Sequence, residues 1–390
     1  MRHIRSYIKN YRLNDTQGIQ KSKDLITLQF KENYRKYLKY YVLSVSGYLL
    51  YSFTSTKPQQ TKLSVKASKV AGRIASLNIP TFLRKPIFSL YIKTYNVNTE
   101  EILEKDLKKY RTINEFFIRE IDTKKRPSEE PSLIVSPCDG RILSVSEVKN
   151  LNELIIVKDI KYDLFTFLFG SLRYPSLYKG FEAEDDTNNN TKLMQVTIYL
   201  SPGDCHRYFS PANMKVEDRV YIPGGLFPVK PSYVNKHPDT FIVNERVTLK
   251  CSMLDNKSKL FVTYVGALNV GSIFLNYDGF CNESHRKIPE HTIYGDGGVS
   301  TSANVSRKDL FTKKNAFNEF DNKEFDMNNN INDEEVNSIS GKEVSIKKSE
   351  EMGYFRFGST IVLIFPIQKG QEISDKVKPG EKIQIGNKIL

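Results

Sequence analysis

From residue 62 to about residue 120, small and apolar residues return every three or four positions, the period of an α-helix with one face turned inward. Two capping-box patterns lie in this stretch: Asn98 three residues before Glu101, and Thr112 three before Glu115. Each predicts a helix start, because the first side chain can accept from an amide that the opening turn leaves unpaired. Between Phe82 and Tyr95 the apolar Phe82, Leu83, Ile87, Phe88, Leu90, Tyr91 and Ile92 alternate with Arg84, Lys85 and Lys93. Such a pattern fits either a helix packed on a core or one lying on a membrane surface.

After Pro131 the texture changes. Short runs of Val, Ile, Leu and Tyr bounded by Pro, Gly, Asn and Asp predict strands at Leu133–Val135, Arg141–Val148, Leu154–Val157, Met194–Leu200, Val243–Leu249, Leu260–Ile273 and Thr360–Phe365. Two polar stretches, residues 182–191 (EAEDDTNNNT) and roughly 300–348, lack an apolar period and are expected as insertions between strands. The fold expected is α+β: a basic segment over residues 1–61, membrane-docking helices over 62–130, and a β-rich, sandwich- or barrel-like body over 131–390. A chain of 390 residues is long enough to bury such a body.

Charge changes the picture at the front of the chain. The formal net charge is +13, and residues 1–70 carry fourteen Lys or Arg against three acidic residues, which leaves the remainder near neutral. A basic arm on a near-neutral body fits attraction to an anionic membrane, or an organellar targeting segment. A nucleic-acid reading would rest on net charge alone, with no zinc-finger spacing or RNP-type aromatic run beside it, so no nucleic-acid partner is expected. The four cysteines (Cys138, Cys205, Cys251, Cys281) show no CxxC spacing and are read as buried free thiols, with no metal site. The longest apolar stretch, Tyr40 to Phe53, is shorter than the roughly 20 residues that span a bilayer, so it either lies at an interface or packs on the body.

Candidate chemistry centres on MGYFRFGSTIVLIF, residues 352–365, where Gly358-Ser359-Thr360 opens a strongly apolar strand. Alone, the triplet reads as a glycine turn. Its company alters that reading: TINEFFIRE at 112–120, VSPCDG at 135–140, YLSPGDCHRYFSPANMKVEDRVYIPGGLFPV at 199–229 and VGALNVGSI at 265–273. In order and at compatible spacing, these five blocks resemble the signatures of phosphatidylserine decarboxylases from bacteria, mitochondria and protozoa, over roughly residues 70–390.

The resemblance implies self-cleavage between Gly358 and Ser359, giving a β chain of residues 1–358 and an α chain of 359–390 that stay together. Ser359 would supply the nucleophile and become a pyruvoyl group, the covalent pyruvate cofactor, which forms a Schiff base with phosphatidylserine and yields phosphatidylethanolamine and carbon dioxide. Asp139 matches the family aspartate that orients a histidine, and His206 matches the first histidine, which acts on the substrate. The sequence departs from the family at Phe209, which stands where a second histidine serves as the cleavage base, and at Cys205, which replaces a tyrosine. His206, His285 and His291 are the imidazoles left to replace that base; alternatively the chain is an unprocessed, non-catalytic lipid-binding homologue. Phosphatidylserine in a membrane is the implied partner, and a homodimer is compatible with the family. The acid-poor, basic start favours the mitochondrial inner membrane, with the endoplasmic reticulum as the alternative.

Overall fold

The computed structural model describes residues 68, 71–148, 154–157, 160–170, 191–267, 273–277, 279–280, 288–295, 298–305, 337–339, 344–356 and 358–390. Chain contacts divide the protein into residues 1–60 and 61–390, and every described residue belongs to the second unit. The Tyr40–Phe53 stretch, most of the basic arm and nearly all of the 182–191 insertion lie outside the described residues.

Helix α1 (Thr81–Tyr95) follows Pro80 and stops where Asn96 turns left-handed at φ 51°. Its inward residue is Phe88, whereas Phe82 and Leu90 are 62% and 66% exposed. Helix α2 (Ile113–Phe117) begins as its capping pattern predicts, with the Glu115 amide donating to Thr112 Oγ1 at 3.0 Å. No helix starts at Asn98. Its Oδ1 instead accepts from the Glu100 amide at 3.0 Å, a local turn that competes with helix, and Glu101 is drawn to Arg126. Phe88, Val97, Ile102, Tyr110 and Phe116 close this region into its own apolar cluster, with the Phe88 and Phe116 rings stacked at 4.8 Å. Among the described residues no helix is long and apolar enough to cross a membrane.

The body is built from β1 (Gly140–Glu147), β2 (Leu154–Val157), β3 (Ile160–Tyr162), β4 (Thr191–Leu200), β5 (Arg207–Phe209), β6 (Met214–Ile222), β7 (Arg246–Met253) and β8 (Lys259–Val265). It continues with β9 (Ile273–Leu275), β10 (Ile288–Gly295), β11 (Gly298–Val305), β12 (Asn337–Ile339), β13 (Val344–Ile346), β14 (Glu351–Phe355), β15 (Ser359–Gln368) and β16 (Lys382–Ile383). The main sheet runs β12-β11-β10-β6-β7-β8-β15-β4-β1-β16, with β13 also on β6; a smaller sheet runs β5-β14-β9. Among the described residues, three short helices interrupt the strands: α3 (Leu164–Phe169), α4 (Pro231–Val234) and α5 (Thr240–Val243).

β15 lies inside the main sheet, antiparallel to both β4 and β8. Alternate side chains go to opposite faces. Ile361, Leu363 and Phe365 join a core shared with Tyr208, Ile273 and Phe355 of the smaller sheet, the interior of a sandwich. Val362 and Ile364 pack on the other face against Leu164 and Phe167 of α3 and Phe241 of α5. A strand buried on both faces must be apolar at successive positions, which is why IVLIF reads as an unbroken run.

Several expected strands are corrected. Leu133–Val135 forms only an isolated bridge from Val135 to Lys388, because its partner is the chain terminus. Leu260–Ile273 is split between β8 and β9, in different sheets. Val243 closes α5 and the strand starts at Arg246. The buried Arg246 guanidinium donates to the Thr166, Phe167, Ile242 and Asn244 carbonyls at 2.6–2.9 Å, capping the ends of α3 and α5. The 300–348 stretch, expected as an insertion, contributes part of β11 together with β12 and β13.

Candidate functional site

Ser359 opens β15 opposite Leu200, the last residue of β4. It is fully buried, and among the described residues its Oγ has no hydrogen-bond partner. A hydroxyl buried without a partner is costly, so one in the first position of a central strand calls for a chemical reason. At Gly358 a Cβ would meet nothing nearer than the Leu200 carbonyl at 4.0 Å, so packing does not impose glycine ahead of the serine.

The chain leaving Leu200 forms a turn held from two sides. The Asp204 carboxylate accepts from the Ser201 amide and hydroxyl, both at 2.7 Å. From the helical region, Tyr91 donates to the Pro202 carbonyl at 2.7 Å and Arg119 to the Gly203 carbonyl at 2.6 Å. A Cβ at Gly203 would lie 2.1 Å from the Tyr95 carbonyl, so the end of α1 can approach this turn only because glycine is there.

His206 follows directly. It is fully buried, with Phe117 against it at 4.0 Å between ring centroids. Its Nδ1 lies 3.0 Å from the Asp204 carbonyl oxygen, which can only accept, so Nδ1 carries the proton and Nε2 the lone pair. Nε2 has no partner among the described residues. Burial, with the Arg119 charge adding to it, pushes the imidazole pKa down to about 3, so the ring is neutral at ordinary pH. The His206 carbonyl accepts from the Phe355 amide at 2.9 Å, at the end of β14. The Phe355 amide thus ties β14 to His206 four residues before Ser359 in the chain.

Asp139 is held differently from the implied relay. Its Oδ1 accepts from Arg126 Nη1 at 2.5 Å and from the Ile385 amide at 3.0 Å, and no hydrogen bond joins it to His206 among the described residues. Burial raises its pKa, opposed by Arg126 and the Ile385 amide. Arg126 also pairs with Glu101, and the two carboxylates outweigh burial to hold the guanidinium protonated. Phe209, 3% exposed, packs with Ile121, Cys205 and Ile385, and its amide donates to the Pro137 carbonyl at 2.8 Å. The family's second histidine position thus faces apolar side chains beside Asp139's segment, and Arg126 partners the carboxylate. Burial pushes the Cys205 thiol up to about 12, so it offers no thiolate base. Cys138, Cys205 and Cys251 are buried free thiols. His285 lies outside the described residues, as does the side chain of His291 on β10.

In the sequence, Phe117 and Arg119 fall within TINEFFIRE without a role of their own, Glu101 reads only as a capping residue for Asn98, and Arg126 carries no signal. Their link to the site is made by folding across distances that no motif spans.

A family model described as phosphatidylserine decarboxylase matches residues 113–390. The chain belongs to the phosphatidylserine decarboxylase family. Among its relatives, the mitochondrial phosphatidylserine decarboxylase proenzyme of Pongo abelii is 33% identical over 330 residues, spanning 83% of this chain and 70% of that protein. The proenzyme of Campylobacter jejuni is 29% identical over 326 residues, 84% of this chain and 98% of its own length. The mitochondrial proenzyme 1 of Saccharomyces cerevisiae is 27% identical, spanning 83% and 71%.

In this decarboxylase-family chain the Glu101–Arg126–Asp139 group gives a direct test. Arg126→Met leaves two largely buried carboxylates without a counter-charge. It should lower unfolding free energy in urea by about 3–5 kcal/mol, measured on the Ser359→Ala background; a loss below about 1 kcal/mol would show the ion pairs to be dispensable.

Proposed function

We propose that this chain is a phosphatidylserine decarboxylase proenzyme, a carboxy-lyase precursor that cuts itself between Gly358 and Ser359 and then converts phosphatidylserine to phosphatidylethanolamine and carbon dioxide. The observation that carries the reading is that Ser359 Oγ and His206 Nε2 are both buried and unpartnered among the described residues, in a chain of this family in which the Phe355 amide donates to the His206 carbonyl four residues before Ser359.

His206 takes the role of cleavage base that Phe209 cannot fill. Its Nε2 lone pair receives the Ser359 hydroxyl proton as Oγ attacks the Gly358 carbonyl, and the proton passes to the departing Ser359 nitrogen, turning the amide into an ester. Loss of the Ser359 Cα proton then expels the Gly358 carboxylate and leaves dehydroalanine, which takes up water, releases ammonia and becomes the pyruvoyl group. That group supplies a ketone for the substrate amine and an electron sink as carbon dioxide leaves. The same buried imidazole is placed to hand a proton back to the substrate carbon. Asp139, clamped between Arg126 and the Ile385 amide, is a positioning residue that fixes the Pro137–Asp139 segment against Phe209's strand.

The substrate implies a membrane. Helix α1 exposes Phe82 and Leu90 on an element that also carries Lys85 and Lys93, a composition suited to an anionic lipid surface. The basic N-terminal arm and the mitochondrial relatives favour the mitochondrial inner membrane. The competing reading, an uncut lipid-binding homologue, draws on Phe209's apolar packing.

Intact mass spectrometry separates the two. The wild type should yield an α chain beginning at residue 359 with a pyruvoyl terminus, absent from Ser359→Ala; one full-length mass in both samples would favour the homologue. His206→Ala should fold but cut about 10²–10⁴-fold more slowly; cutting at the wild-type rate would remove His206 from this role. With the imidazole pKa near 3 rather than 6.5, the cutting rate should stay level from about pH 8 to pH 5, and an acid limb near 6.5 would contradict it. The same depression should cost stability as pH falls from 6.5 towards 3, where only the unfolded chain takes up the proton. Replacing Phe82 and Leu90 together by Ser should spare cutting while reducing co-sedimentation with phosphatidylserine vesicles; undiminished binding would place the lipid contact elsewhere.

A further inference from the structure

Arg119 is 3% exposed, and its charge meets no acidic side chain among the described residues. Nη2 donates to the Gly203 and Asp204 carbonyls at 2.6 and 3.2 Å, while Nε and Nη1 have no partner among the described residues. Burying a guanidinium so incompletely satisfied is expensive, since it cannot shed its proton. Two other buried arginines do not share this state: Arg126 faces two carboxylates, and each nitrogen of Arg246 reaches a backbone carbonyl.

The location of the unused donors gives them a purpose. Arg119 and His206 bond the same Asp204 carbonyl, so guanidinium and imidazole share one backbone oxygen. Phe116 lies 5.5 Å from the guanidinium carbon and belongs to the cluster that holds Phe88 of α1, while its neighbour Phe117 rests on His206. The arginine therefore sits between the helix proposed to meet lipid and the imidazole proposed to act on it.

We infer that Arg119 receives the anionic oxygens of the aminophospholipid headgroup, its Nε and Nη1 fork engaging the serine carboxylate or the phosphodiester. This rests on the proposed decarboxylase reading. Both groups present paired oxygens to a planar fork, and either would supply the missing counter-charge. Binding would hold the substrate amine towards Ser359 while leaving the Gly203 and Asp204 contacts intact.

The test uses purified, fully cut enzyme, wild type beside Arg119→Gln and Arg119→Lys. Kinetics are measured with short-chain phosphatidylserine, and binding of short-chain phosphatidylethanolamine by calorimetry. Arg119→Gln should raise KM about ten- to hundred-fold with kcat changed by less than about three-fold. Product affinity that stays unchanged assigns the carboxylate, which the product lacks; product affinity weakened by the same factor assigns the phosphodiester. Both support the inference. If Arg119→Gln fails to fold or cut, Arg119→Lys decides, because it keeps a charge and a donor for the Gly203 carbonyl but lacks the fork: a KM raised about ten-fold supports the inference. KM and product affinity within about two-fold of wild type, or a fall in kcat alone, overturn it in favour of a purely structural arginine. A wild type that never cuts sinks this inference together with the reading beneath it, whereas an active wild type with indifferent Arg119 variants sinks this inference alone.

Discussion

The antiparallel pairing of β15 with β4 on one side and β8 on the other determines where Ser359 stands. Because Ile361 to Phe365 alternate between two cores, a slip of one residue would exchange the contents of both, and the register that places Ser359 opposite Leu200 is fixed by the whole strand. The serine inherits this rigidity while standing at the strand's first position. Under the proposed self-cleavage, the bond ahead of it would be held at the edge of a fixed element, pre-organised for attack.

The second part of the arrangement is the turn from Ser201 to Cys205. It connects Leu200 to His206 and is gripped by the helical region through Tyr91, Tyr95 and Arg119. A displacement of α1 would therefore be felt at the imidazole through a single turn of backbone. Under the proposed function, the helix offered to a lipid surface and the turn that carries His206 would be mechanically continuous.

Much of this was legible from residue patterns. The apolar run after Ser359 announced a strand, and Thr112–Glu115 announced a helix cap, because both depend on neighbours in sequence. Asn98–Glu101 carried the same pattern and failed, since an Asx turn and the pull of Arg126 outweighed a helix start. The position of Phe209 raises the question of a missing base, and the contacts that bear on it are visible only in the fold: the Asp204 carbonyl sets the tautomer of His206, and Arg126 occupies Asp139. Carbonyls and distant ion pairs leave no periodic trace along a chain.

The placement of β15 also governs the protein's history. Residues 359–390 supply a strand whose two neighbours and both packing faces come from earlier in the chain. While the chain is continuous, inserting that strand closes a loop, at a cost that grows only slowly with length. Were the chain severed ahead of Ser359, as the proposed function requires, the same insertion would become an association of two molecules, with lost translational freedom added to the cost. The uncut form would then be the only one that folds as a single molecule, and a cut form would persist by the height of its unfolding barrier. Under that proposal the protein would age in one direction: a copy that opened fully would be replaced by synthesis rather than repaired.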